Sequence, residues 1–167
     1  MKRIVFKGKF LNVTQIKKKL PNGNVMDLEV VEHPGAVLII PMVSKNKMIL
    51  LRQFRPVIDS YLYELPAGIL EKGETVRKCA KRELLEETGY FAKKITRLGK
   101  IYTVPGYSTE EIVIMKAENL IKKTKDLHQH EIIRTLLLDK KEIKKLFKTK
   151  RIVDAKTICA LAMCGWI

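Results

Sequence analysis

The stretch from Thr75 to Thr88 limits what this chain can fold into more than any other. Val76, Ala80 and Leu84 recur every four residues with Cys79 beside them, which is a helical apolar stripe, and Gly89 supplies a left-handed stop. At about 100° per residue, Glu83 and Glu87 stack one turn apart and Glu86 lies beside Glu87. One face of the helix therefore carries three carboxylates while the opposite face is apolar. Such a helix puts its back into a core and can set its acidic face along a cleft. Like charges at i,i+4 repel by about 0.2–0.5 kcal/mol per pair, so a compensating cation is expected. Magnesium is commonly held by one or two carboxylates together with substrate phosphates. Taken alone, the helix also allows a plain solvated acidic stripe.

Around this helix the chain reads as strands first and helices last. Segments at Ile4–Phe10, Thr14–Lys19 and Met26–Glu32 carry β-type patterns, and Pro21-Asn22-Gly23-Asn24 holds the Asn-Gly pair of a tight hairpin. Ala36–Met42 and Met48–Gln53, joined by the polar turn Ser44–Lys47, are rich enough in Val, Ile and Leu to be central strands. Further strands are expected at Ile95–Val104, Glu111–Ala117 and Ile132–Leu138. Asp139 with Glu142 forms a capping-box start for a helix, and Asp154 can cap a last one through Ala162. The expected class is α+β, a mixed sheet flanked by helices as an α/β/α sandwich, with an N-terminal antiparallel β-segment.

The chain has 167 residues and is 46% hydrophobic, enough for one compact domain with its own core. No apolar run approaches the length of a membrane span and MKRIVFKGKF lacks the features of a signal peptide, so the expectation is a cytoplasmic protein without a membrane partner. Cys79, Cys159 and Cys164 have no metal-type spacing and read as buried free thiols. The net charge of +15 is compatible with a nucleic-acid partner, a phosphorylated substrate or a lysine-rich surface. Its lysines are dispersed (Lys17 to Lys19, Lys122, Lys123, Lys125, Lys140, Lys141, Lys144, Lys145) and not interleaved with exposed aromatics, which favours a solvated face over a specific nucleic-acid site. The excess of Lys over Gln and Asn suits a thermophile or an AT-rich genome.

The acidic helix belongs to a longer pattern that runs from Gly68 through Glu74, Arg82, Glu83, Leu84, Glu86, Glu87 and Gly89 to Tyr90. This resembles the Nudix box, G-x5-E-x7-R-E-U-x-E-E-x-G-U, at every fixed position, and Tyr90 is aromatic where an aliphatic residue is commoner. The resemblance implies a Nudix hydrolase with Glu83, Glu86 and Glu87 as metal ligands, the carbonyl of Ala67 as a further ligand, and a Glu74–Arg82 ion pair tying loop to helix. It places Arg82 and Glu86 in the catalytic apparatus. It implies magnesium as cofactor, with manganese able to substitute, to screen a pyrophosphate and activate a water for attack on phosphorus.

Three features outside the box resemble the ADP-ribose pyrophosphatase subfamily: Tyr63–Gly68 leading into the box, Leu50–Pro56, and Val104–Glu110 with its Pro-Gly-Tyr-Ser run. They imply hydrolysis of ADP-ribose to AMP and ribose 5-phosphate, with Arg52, Arg55, Glu64 and Glu110 contacting substrate or metal. Phe54 is expected to pack in the core, with base stacking as the alternative. Glu131, just before the strand at Ile132, is the expected general base, while His128 and His130 read as solvated. Residues 1–35 resemble the β-segment through which such enzymes form homodimers, and residues 36–167 would be the hydrolase domain. Two rival readings stay open. One is a Nudix enzyme for another nucleoside diphosphate derivative such as a nucleotide sugar, a dinucleoside polyphosphate or a capped RNA. The other is a non-catalytic nucleic-acid-binding module, which the acidic cluster disfavours because it repels phosphate.

Overall fold

The structure is a computed structural model and describes residues 2–9, 11–123 and 132–167. The central strand signals come out as a hairpin, β4 (Ala36–Ser44) and β5 (Lys47–Arg55), whose apolar runs are buried on both faces. Alternation along β4 sends Leu38 and Ile40 to one side and Val37 and Ile39 to the other, and each pair founds its own core cluster. Leu38 and Ile40 pack with Leu50, Leu65, Ile143, Leu161 and Trp166. Val37 and Ile39 pack with Ala80, Leu84, Ile95 and Met115. A sheet buried on both faces needs helices on both, which gives the expected α/β/α sandwich.

The main sheet has seven strands. Its path is β10 (Ile133–Asp139), β5, β4, β9 (Glu111–Lys122) and β8 (Tyr90–Tyr102), with β6 (Ser60–Glu64) on β5 and β7 (Ala67–Ile69) on β4. Only the β4–β9 contact on that path is parallel, so the sheet is mixed. Helix α1 (Val76–Thr88) covers the Val37 face, with Thr75 accepting from the Lys78 amide at its start and Gly89 closing it at φ 75°. Ile143 of α2 (Lys140–Lys148) and Ala160 and Leu161 of α3 (Ala155–Met163) lie in the other cluster. Both expected caps are present. Asp139 and Glu142 make the reciprocal capping box, and Asp154 accepts from the Thr157 amide.

The N-terminal strands β1 (Lys2–Lys7), β2 (Asn12–Lys19) and β3 (Val25–Glu32) form a separate antiparallel sheet. Gly23, at φ 87°, makes the β2–β3 turn where Asn-Gly was expected. This sheet hangs on the loop before β9 through Val31 N–H to Tyr107 O (2.7 Å) and Thr109 N–H to Val31 O (3.0 Å). Strand β1 is shorter than its pattern predicts. Strand β8 starts earlier and β9 runs further than expected, and neither β6 nor β7 was foreseen. Among the described residues no helix is long and apolar enough to cross a membrane.

Candidate active site

Helix α1 presents its acidic face to the end of β7. The Glu87 carboxylate accepts from the Ala67 amide at 3.0 Å and is almost wholly enclosed. Glu83 lies directly over Gly68, where a methyl group would come within 1.8 Å of its carboxylate. Only glycine leaves that space, so Gly68 of the motif answers to a close approach of side chain to backbone.

Arg82 organises the remaining carboxylates. Its Nε and Nη2 donate to the two oxygens of Glu74 at 3.0 and 2.9 Å, tying the loop after β7 to the helix. Its Nη1 donates to Glu83 (2.7 Å) and Glu86 (3.1 Å), and Nη2 also reaches the Ile69 carbonyl. The Arg82 bonds hold the Glu74 carboxyl down at about 2, and Glu74 in turn raises the guanidinium above its usual range. Burial, with the Glu74 charge added, pushes the Cys79 thiol up to about 12. Cys79 is fully buried and packs behind the loop with Val37, Ile39 and Leu84.

Among the described residues no three carboxylate, imidazole or thiol groups converge into a finished metal cage. A guanidinium lies between Glu83 and Glu86 instead. The donor set is all oxygen, which suits a hard divalent cation, and the room over Gly68 is reserved for a carboxylate and not for packing. Residues Glu83, Glu86 and Glu87 with the Ala67 backbone therefore fit such an ion.

The acidic face borders a cleft of about 1180 Å³ that Gln53, Arg55, Ala67, Gly68, Arg82, Glu83 and Glu87 help to line. A second lobe of about 410 Å³ shares Arg55 and Ala67–Ile69 with it and is walled by His33, Thr103, Glu110, Asp154 and Lys156.

A sequence profile decides the family, because the NUDIX domain matches residues 32–161. The chain belongs to the NUDIX family. It is 36% identical over 162 residues to the ADP-ribose pyrophosphatase of Bacillus subtilis (strain 168), across 96% of this chain and 88% of that protein. It is 37% identical over 159 residues to the methanol dehydrogenase activator of Bacillus methanolicus, across 94% and 86%. The solved structure of an ADP compounds hydrolase matches with a TM-score of 0.84 at 24% identity, across 99% of this chain and 90% of that one, which shows the shared fold.

The residues expected outside the Nudix motif divide into groups. Arg55 reaches from β5 into both lobes and donates two bonds to Glu64, at 2.8 and 2.6 Å. Burial alone would raise the Glu64 carboxyl, but the bonds from Arg55 and Lys156 bring it below its usual value. Glu110 lines the second lobe, accepts from Thr103 and faces His33 at 3.7 Å. Arg52 falls on the other face of β5 by alternation and stacks over Tyr61 at 4.1 Å, where Phe54 also packs. Glu131, His128 and His130 lie outside the described residues. Sequence reading missed Gln53, His33, Thr103 and Lys156. The run Asp154-Ala155-Lys156 was visible only as a helix start.

Proposed function

We propose that the chain hydrolyses ADP-ribose to AMP and ribose 5-phosphate with a divalent metal ion, magnesium in the first instance and manganese as a substitute. The observation that carries this reading is the joining of two unlike charges across one cleft. The carboxylates of Glu83 and Glu87 border it from α1, with Glu86 tied to Glu83 through Arg82, and Arg55 enters it from β5. A pyrophosphate bridging metal and guanidinium would satisfy both. The match over nearly the whole length of the B. subtilis ADP-ribose pyrophosphatase supports the same substrate.

In this reading Glu83, Glu86, Glu87 and the Ala67 carbonyl would hold the metal, which when bound would supply positive charge to screen the phosphates and polarise a P–O bond. Arg82 keeps Glu83 and Glu86 in register with the loop. Arg55 binds a phosphate oxygen in a charge-assisted bond, with Glu64 behind it. Glu110 binds hydroxyl groups in the second lobe. Glu131 is the general base that takes the proton of the attacking water as the bridging P–O bond breaks. Base catalysis is typically worth about 10²–10⁴-fold, so Glu131→Gln should lower kcat by that factor with KM nearly unchanged, and a mutant keeping most of its kcat would place the base elsewhere.

The N-terminal sheet supports a homodimer. Phe6 is 56% and Val25 66% exposed, with Ile4, Val5 and Met26 also open, and a second copy would cover them. Arg52 faces away from this chain's cleft, so it would meet substrate only where the partner's cleft adjoins it. Phosphate release after phosphatase coupling, run over ADP-ribose, other ADP-sugars, NAD, NADH and diadenosine polyphosphates, tests the substrate. ADP-ribose should give the highest kcat/KM. A clear preference for another compound would overturn the choice of substrate.

A further inference from the structure

The second lobe is walled in part by Arg55, Asp154 and Lys156, which close on Glu64 buried behind them, and the Nudix motif includes none of these four charges. Glu64 is the hub, with its side chain only 1% exposed. Arg55 binds both of its oxygens, and Lys156 donates to Oε2 at 2.6 Å. Lys156 is itself 18% exposed and donates to Asp154 at 2.7 Å. Asp154 uses its other oxygen to cap α3 through the Thr157 amide. Two cations and two carboxylates thus close on one another where β5, β6 and the first turn of α3 meet.

The charges explain why a lysine belongs there. A carboxylate shut away from water strongly needs cationic partners. If Arg55 were the sole cation beside Glu64 and Asp154, the group would carry a net −1 and repel an incoming phosphate. With Lys156 present the four charges sum to zero, and Arg55 keeps N–H donors that Glu64 does not use. We propose that Lys156 is a positioning residue for phosphate binding: by sharing Glu64 and neutralising Asp154, it holds Arg55 ready for the diphosphate of the substrate. This rests on reading the cleft as the pyrophosphate site.

The test compares Lys156→Met, Lys156→Arg and Asp154→Asn with the unaltered full-length protein. Steady-state kinetics on ADP-ribose with magnesium, calorimetric binding of ADP and thermal melting are measured for each. Lys156→Met should raise KM about tenfold, equal to about 1.4 kcal/mol of binding, with a much smaller change in kcat, the pattern of lost uniform binding. Its affinity for ADP should fall in parallel. Lys156→Arg should recover most of the loss. Asp154→Asn keeps a competent helix cap while removing a negative charge, so its KM should fall. A merely structural role would not give opposite signs for two residues in one contact.

The proposal is overturned if Lys156→Met leaves KM and ADP binding unchanged, if Lys156→Arg is no better than Lys156→Met, or if Asp154→Asn raises KM. Should Lys156→Met fail to fold, the Lys156→Arg and Asp154→Asn results decide by the same signs. Unaltered protein that binds ADP without cleaving ADP-ribose would sink the functional reading alone, since the ADP affinities of the variants still report on Lys156. Unaltered protein that neither binds ADP nor cleaves ADP-ribose would sink both.

Discussion

At the scale of single residues, the site depends on close approaches that a motif states only as residue types. Gly68 has an ordinary backbone conformation but no room for a side chain beneath Glu83. Gly68→Ala should therefore fold normally by circular dichroism while the displaced carboxylate costs activity. A misplacement of about 1 Å costs about 10²-fold, and a mutant with unchanged kcat would show that the carboxylate position is not critical. Glu64 supplies a pH dependence of stability. Its carboxyl in the folded protein lies below the usual 4.5, so its contribution is full above that value and is lost as pH falls through the folded-state pKa. Thermal midpoints should thus drop on the acid side below about pH 4.5, and Glu64→Gln should start lower at neutral pH but show a smaller acid drop. Equal acid drops in the two proteins would contradict this account of the Arg55–Glu64–Lys156 contact.

At the scale of elements, helices were legible because their signals are local. Thr75, Gly89, Asp139 with Glu142, and Asp154 each act within a few residues, and each caps the helix that its pattern indicates. The Asp139 capping box is far from the cleft in function. Asp139→Ala should cost about 1 kcal/mol of stability, read as a lower midpoint in urea, with kcat unaltered. Strands β6 and β7 were not legible. Strand β7 spans three residues containing Gly68 and follows Pro66, so its pairing with Ala36–Leu38 is set by the neighbouring strand and not by its own propensity. The register shift between Arg97 and Gly99 breaks the alternation of β8 and hides its true length. The candidate site divides in the same way. Its acidic half lies on one helix and could be read from spacing, whereas Lys156 meets Glu64 across 92 positions of sequence and only the fold brings them together.

At the scale of the whole molecule, the two layers of helix fix one sheet so that a strand end, a helix face and a helix start converge on one cleft. The N-terminal sheet takes no part in that sandwich and leaves apolar side chains open. Sedimentation analysis should therefore find a dimer, and substituting Phe6 and Val25 by polar residues should shift it to monomer. A monomer at all concentrations would refute the homodimer. The net charge of +15 coexists with a concentrated acidic face at α1, and the proposed function centres there on a divalent metal and a phosphorylated small molecule. The most direct test of that claim is the turnover of ADP-ribose with magnesium, for the unaltered protein and Glu87→Gln, before and after excess EDTA. EDTA should abolish turnover, added magnesium should restore it, and Glu87→Gln should lower kcat by several orders of magnitude while keeping its fold. Turnover that persists in EDTA, or a Glu87→Gln protein with near-normal kcat, would contradict that claim.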